Sequence, residues 1–324
     1  MEVGQWIALF IVSLAVLLQA AKYFTETAER IGIHFKIPPF IIGVTIVAFG
    51  TSLPEIATSI IAVVQGESAI VIGNVTGSNL ANILLVLSIT AIVAGHLKVS
   101  KDIVKIDLPL LLGSTILLYL TTLDGKFNYV EGIISMLALI TYIFYNISSR
   151  RNVGRSGLKD FKALKKEEKK KIKKDHLHIK YPLILILAGA FLYFAANFTI
   201  QSVVELSKIF NIGTDIIAVS AIAIGTSLPE LAVSVIAARN GKADIAIGNV
   251  TGSNIFNALA VMGVPSFIGT LEIPVEFTSF TIPLLLLVTI LYVFSTMDRE
   301  ISKWEGFTFL LIFVVFMGKT FNLI

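Results

Sequence analysis

The chain has 324 residues and a formal net charge of +4, is 55% hydrophobic and carries charge on only 15% of its residues. Soluble domains are about 25% charged, so this composition excludes an ordinary water-soluble domain and indicates an integral membrane protein. The absence of cysteine removes disulfides, thiolate metal sites and thiol catalysis.

A helix needs about 20 apolar residues to cross the hydrocarbon. Ten such runs follow one another at approximately 5–29, 38–64, 69–95, 106–123, 130–149, 180–208, 214–238, 244–270, 277–297 and 304–322. The first has Glu2 before it and no small-residue cleavage site after it, which predicts a retained helix and not a secretory signal. Of the 26 Lys and Arg residues, 13 lie between Arg150 and Lys180. With ten spans and both termini outside, that segment is the cytoplasmic loop between the fifth and sixth helices. The same orientation places 22 basic residues inside, against Lys126, Lys208 and Lys319 outside and Lys22 within a helix, a strong positive-inside bias.

The loop, 150–179, is too short for a regulatory domain with its own core. Its Lys-rich run, Lys162 to Lys174, is interrupted by Phe161 at its edge and by Leu164 and Ile172. Contact with anionic lipid is one reading; a solvated linker that fixes topology is the simpler one. No nucleic-acid partner is expected.

The chain repeats itself. At an offset of 175 residues, 22 of 35 positions from Ala48 to Asn82 are identical to those from Ala223 to Asn257. The division is therefore a first repeat at 1–149 (motif 43–90), the basic linker at 150–179, and a second repeat at 180–324 (motif 218–265). Five helices per repeat is an odd number, so the second copy enters the membrane from the opposite side. The fold class expected is all-α, ten transmembrane helices in a 5+5 inverted-topology repeat, an architecture of secondary transporters.

Each repeat holds the hexapeptide Gly-Thr-Ser-Leu-Pro-Glu, at Gly50–Glu55 and at Gly225–Glu230. A carboxylate at membrane depth costs several kcal/mol unless it faces a cavity or a partner. A simple proline kink with a hydrogen-bonded Glu accounts for one hexapeptide better than for two. Pro54 and Pro229 have no N–H and break the helix, leaving the carbonyls of Gly50 and Gly225 available; such a break is tolerated only in protein or beside a water-filled cavity. Thr51 and Glu55 share a helix face, with Ser52 beside them, as do Thr226, Ser227 and Glu230. The following helix carries Gly73-Asn74-Val75-Thr76-Gly77-Ser78-Asn79, matched at Gly248–Asn254. Its GxxxG spacings predict close helix approach, and Asn74, Ser78 and Asn82, like Asn249, Ser253 and Asn257, form a polar stripe.

Carboxylate, hydroxyl, amide and backbone oxygens, without His or Cys, are hard ligands suited to Ca²⁺ or Na⁺. Ca²⁺ accepts six to eight oxygens in flexible geometry, whereas Mg²⁺ keeps its waters. Two Glu charges balance one Ca²⁺ or are matched by Na⁺ ions. Desolvation and like-charge repulsion oppose ionising both together, so protons are expected to compete.

The paired blocks resemble the two alpha-repeats of the sodium/calcium exchangers of prokaryotic type, within the calcium/cation antiporter superfamily. The resemblance implies exchange of Ca²⁺ for Na⁺ by alternating access, with core helices two, three, seven and eight binding ions while helices one and six slide across them. It implies Glu55 and Glu230 as central ligands. The remaining oxygens would come from Thr51, Ser52, Thr226, Ser227, Ser78 and Ser253 and from the carbonyls of Ala48 and Ala223, with Asn82 and Asn257 lining the middle. Asn257 stands where prokaryotic relatives commonly have Asp, which leaves stoichiometry and Na⁺ versus H⁺ coupling open; a calcium/proton exchanger on the same fold is the alternative. The potassium-dependent branch relies on extra acidic residues in its second repeat, which speaks against potassium here, and the acidic motif of calcium/proton exchangers is replaced by neutral Asn79 and Asn254. The expected partners are Ca²⁺, Na⁺ and the lipid bilayer, for a monomer with no cofactor and no enzymatic activity, in the cell membrane.

Other residues fit plainer roles. His34, His96, His176 and His178 fall in loops or helix ends on the expected inside, and Asp215, Glu272 and Glu276 at the outer face, where capping or solvation accounts for them. Four Asn-X-Ser/Thr sequences, at Asn74, Asn146, Asn197 and Asn249, match the glycosylation pattern, two within the proposed core and one beside the cytoplasmic loop. No GxxxxGK[ST] loop or HExxH sequence is present, against an ATP-driven pump or an intramembrane metalloprotease. A cation channel selecting with acidic rings is the remaining alternative.

Overall fold

The apolar runs fold as helices that turn their polar residues inward and their large apolar side chains out. The computed structural model describes residues 3–34, 39–153, 180–209 and 227–320. Most of the basic linker and the stretch 210–226, which contains Asp215, Ala223 and Thr226, lie outside them.

The helices are α1 (Val3–His34), α2 (Gly43–Thr51), α3 (Leu53–Val64), α4 (Ala69–Ala94), α5 (Ile103–Thr121), α6 (Tyr129–Val153), α7 (Lys180–Ile209), α8 (Leu228–Arg239), α9 (Ala243–Ser266), α10 (Phe277–Ser295) and α11 (Lys303–Thr320). Seven among the described residues are long and apolar enough to cross a membrane, or eight if the bent pair α2–α3 is one span. Two expected spans fall short of that test for separate reasons. The larger part of span 214–238 lies outside the described residues, and α11 carries Lys303, Glu305 and Lys319 within its 18 residues.

The break in the second span lies just ahead of the proline. Ser52, at φ −86° and ψ 0°, separates α2 from α3 with a bend of 43°. Pro54 then sits in the first turn of α3, where a missing N–H costs nothing because those donors have no helical partner. Ser227, at φ −90° and ψ 2°, precedes Pro229 and α8 in the same way.

The apolar stretch of α9 is 100% buried and that of α4 67%, whereas those of α1 and α6 are 22% buried. α4 and α9 therefore cross the interior and the others wrap them. Outward side chains such as Ile11, Phe144, Ile186 and Leu311 are more than half exposed, as lipid-facing residues must be. One apolar cluster joins α4, α5, α9 and α10 with parts of their neighbours. A second, rich in alanine, packs α1 and α7 against α2, α8 and the start of α9.

Equivalent parts of the repeat meet or mirror one another. The strands β1 (His96–Lys98), β2 (Lys126–Phe127), β3 (Leu271–Glu272) and β4 (Glu300–Ser302) form two antiparallel pairs, β1 with β4 and β2 with β3. Wide π-helical turns occur at Asn82–Val86 and Asn257–Val261 and at Ile103–Asp107 and Phe277–Thr281; such turns are frequent at functional sites. The Thr115 and Thr289 hydroxyls lie 3.5 Å apart.

Close helix approach is seen at the second GxxxG. A Cβ added to Gly252 would lie 2.6 Å from the Val44 carbonyl and 2.7 Å from the Ala48 Cβ, and one on Gly43 would lie 2.7 Å from the Ile245 carbonyl. Here α9 and α2 touch backbone to backbone. The expectation is not met in the same form at the first GxxxG: among the described residues a Cβ on Gly77 meets nothing within 4 Å. The stretch corresponding to α2 in the second repeat, 218–226, falls outside those residues.

Candidate functional site

Glu55 and Glu230 are both fully buried. Each lies in the first turn of its helix, α3 or α8, and Glu55 follows the bend at Ser52. Free backbone N–H groups and the helix dipole there favour negative charge. The two face one interior region, near enough for the charge of Glu230 to act on Glu55. Among the described residues, all four of their carboxylate oxygens lack a hydrogen-bond partner, as do the hydroxyls of Ser52 and Ser227 and the amide oxygens of Asn82 and Asn257. Burying such groups unpaired costs several kcal/mol, so oxygens assembled in this way suit a cation.

Of the twelve residues expected at the site, the ten that are described are all buried: Ala48, Thr51, Ser52, Glu55, Ser78, Asn82, Ser227, Glu230, Ser253 and Asn257. Thr226 and Ala223 lie outside the described residues. Thr51 is where the halves meet. Its hydroxyl lies 3.2 Å from Asn249 Oδ1, 3.3 Å from Ser253 Oγ and 3.2 Å from the Ala48 carbonyl. Thr51 and Ser253 also lie near the Glu230 carboxylate, without a hydrogen bond of ordinary geometry to it. The Ala48 carbonyl accepts from Ser52 N at 3.0 Å as well, which occupies both its lone pairs. Its second lone pair is open when Thr51 turns its proton to Asn249 or Ser253.

The middle is spanned by amides. Asn79 Nδ2 donates to the Asn254 carbonyl at 3.1 Å and Asn82 Nδ2 to Asn254 Oδ1 at 3.4 Å. The second of these leaves the Asn82 oxygen as the atom available to a cation. Among the described residues no cluster of three or more His, Asp or Glu able to hold a metal occurs. Any cation here meets two carboxylates and otherwise neutral oxygens.

Several structured residues escaped the reading by motif. Ser59 and Ser234 are buried one turn beyond the glutamates and bind Asn74 and Asn249; their identity at the 175-residue offset was the available signal. Asp107 is a third buried carboxylate, with the Tyr142 hydroxyl 3.3 Å away, and its signal was an acidic residue at the head of the apolar run of α5.

The sequence model of the family described as sodium/calcium exchanger protein matches residues 5–148 and 180–321. The chain belongs to the sodium/calcium exchanger family. It is 32% identical over 317 residues to the inner membrane protein YrbG of Escherichia coli, covering 97% of this chain and 96% of that one. To the sodium/calcium exchanger MaX1 of Methanosarcina acetivorans it is 29% identical over 342 residues, covering 97% of each. Among solved structures it is similar to the sodium-calcium exchanger NCX_Mj soaked with zero Na⁺ and Ca²⁺, with a TM-score of 0.80 and 27% identity over 98% of this chain and 100% of that one. The likeness to the same exchanger soaked with 2.5 mM Na⁺ and 0.1 mM Ca²⁺ has a TM-score of 0.78. For a family member of this kind, a multi-pass membrane position and exchange of cations are the shared ground.

Proposed function

We propose that this chain is a secondary active antiporter that exchanges Ca²⁺ for Na⁺ across the cell membrane by alternating access, through one cage formed by both halves. The observation that carries the reading is the pair Glu55 and Glu230, equivalent in the repeat, both buried and with their oxygens unpaired among the described residues. Two negative charges balance one Ca²⁺ or two Na⁺, so the competing cargoes neutralise the same pair. The ligands are Glu55, Glu230, Thr51, Ser52, Ser78, Asn82, Ser227, Ser253 and Asn257 with the Ala48 carbonyl, completed by Thr226 and the Ala223 carbonyl. Relatives named as sodium/calcium exchangers support this reading.

The architecture proposed is ten helices in a 5+5 inverted repeat, divided at 1–149, 150–179 and 180–324. The family match over 5–148 and 180–321 supports it. So do the strand pairs: β1 and β4 belong to connections assigned inside by the basic residues, and β2 and β3 to connections assigned outside. Both termini are then extracellular, the basic loop is cytoplasmic, and the chain acts as a monomer without a cofactor.

Radioactive Ca²⁺ uptake into proteoliposomes tests the reading, with an imposed Na⁺ gradient in one set and a pH gradient without Na⁺ in the other. Uptake driven by Na⁺ alone is expected. Uptake driven only by the pH gradient would make the chain a calcium/proton exchanger, a reading favoured by two buried carboxylates that have no hydrogen-bond partner among the described residues. Current at channel rates without a counter-ion on the far side would refute exchange.

A further inference from the structure

Ser59 and Ser234 are buried hydroxyls on α3 and α8, four residues past Glu55 and Glu230 and outside the proposed ligand set. Each accepts from an asparagine of the following helix, Asn74 Nδ2 to Ser59 Oγ and Asn249 Nδ2 to Ser234 Oγ, at 3.0 Å in both halves. The same amide nitrogens reach back to the backbone carbonyls of the glutamates, 3.2 Å to Glu55 and 3.3 Å to Glu230. Asn74 has a further acceptor in Thr58 Oγ1 at 3.2 Å. The proton of the Ser234 hydroxyl has the Ala246 carbonyl as its acceptor at 3.5 Å, which leaves a lone pair for the amide.

This geometry decides which end of each amide faces the cage. A carbonyl oxygen only accepts, which favours the NH₂ toward Glu55 or Glu230, and the serine adds an acceptor on the same side that holds it there. The amide oxygen then points the other way. There Asn249 Oδ1 accepts from Thr51 at 3.2 Å and Asn74 Oδ1 from Ser78 at 3.5 Å. A hydroxyl has one proton and two lone pairs; to bind a cation it must turn its proton elsewhere. Asn249 and Asn74 provide that acceptor for Thr51 and Ser78. Second-layer groups of this kind orient the first layer and tune its affinity.

We infer that Ser59 and Ser234 are positioning residues for cation binding: each locks an asparagine amide with its oxygen toward a cage hydroxyl, so that the hydroxyl presents its lone pairs to the ion. The inference rests on the exchange reading above and adds a layer to it. Loss of a serine hydroxyl leaves the amide with one acceptor fewer on the glutamate side. The amide can then rotate its NH₂ toward Thr51 or Ser78, which repels the ion and misdirects the hydroxyl.

The experiment compares wild type with Ser59→Ala, Ser234→Ala, the double variant and, as control, Ser88→Ala, which removes a buried hydroxyl that donates to Leu84 of its own helix. Two quantities are read: the Ca²⁺ concentration for half-maximal Na⁺-driven uptake, and thermal stability in detergent with and without Ca²⁺. Each single variant is expected to raise the half-maximal concentration about five- to tenfold, the worth of one buried hydrogen bond. Maximal uptake and ion-free stability should remain near wild type, and Ser88→Ala should leave the half-maximal concentration unchanged. An unchanged half-maximal concentration in the double variant overturns the inference. So does a loss of ion-free stability that lowers maximal uptake while affinity is retained, because that assigns the serines to folding alone. A wild-type chain with neither uptake nor Ca²⁺-dependent stabilisation refutes the exchange reading itself, and this inference with it.

Discussion

Gly252→Ala tests how tightly the two halves are registered at the site. The added Cβ would lie 2.6 Å from the Val44 carbonyl, 2.7 Å from the Ala48 Cβ and 2.8 Å from the Val44 Cα. All three atoms are backbone or Cβ, so no side chain can swing aside. To restore ordinary contact near 3.4 Å, α9 must back away from α2 by about 0.8 Å. Overpacking of this kind costs about 1–3 kcal/mol. The same displacement reaches the cage, because Thr51 on α2 lies 3.2 Å from Asn249 and 3.3 Å from Ser253 on α9. Lengthened by even half that movement, both contacts pass the limit of an effective hydrogen bond. Gly252→Ala should therefore lower thermal stability in detergent and weaken apparent Ca²⁺ affinity about tenfold or more. Gly113→Ala is the control, since its Cβ meets nothing within 4 Å and alanine favours the helix by about 1 kcal/mol. Gly252→Ala with wild-type stability and affinity would refute the close α2–α9 contact and the coupling argued from it.

Glu55→Gln and Glu230→Gln should each abolish Ca²⁺ transport while leaving the fold intact, because a single charge does not balance a divalent ion; retained Ca²⁺ flux in both variants would refute the cage. Asn257→Asp adds a third carboxylate to the proposed cage and should keep Ca²⁺ binding while altering competition by Na⁺ or H⁺, with unchanged competition curves counting against its place in the site. Acidification should weaken Ca²⁺ uptake, since protons neutralise the carboxylates that hold the metal, and an uptake rate insensitive to pH would speak against a two-carboxylate site. Lys242 of the α8–α9 connection pairs with Glu29 of α1, and because both side chains are about one-fifth exposed, Glu29→Gln should cost at most about 1 kcal/mol. The exchanged pair Glu29→Lys with Lys242→Glu should recover that loss, and a swap no better than the single variant would deny the contact a stabilising role.

Much of the site was legible along the chain because its signals are local. The break at Gly50–Glu55 is written in Pro54, and the structure moves it only to Ser52, where the backbone enters the first turn that tolerates proline. The shared face of Thr51 and Glu55 follows from helical periodicity, and all ten described residues of the expected set are buried. Asp107 was less legible, since one acidic residue at a helix head reads equally as a cap. Ser59 and Ser234 were visible only as repeat identities, because a serine in a helix interior bonds its own backbone as readily as a neighbour.

Composition and repetition by themselves determined the membrane class, the twofold motif and the supply of oxygen-bearing side chains in it, since these depend on residue type and on spacing within a single helix. Contacts across the halves were decided by tertiary structure alone. Thr51 meets Asn249 and Ser253 across 198 and 202 residues, and Asn79 meets Asn254 across 175. Gly252 forms a close backbone contact where Gly77 finds none among the described residues. Identical motifs carry identical local instructions, but each is completed by whichever helix packs against it. That partner is set by how the whole bundle buries its apolar surface and pairs its polar groups.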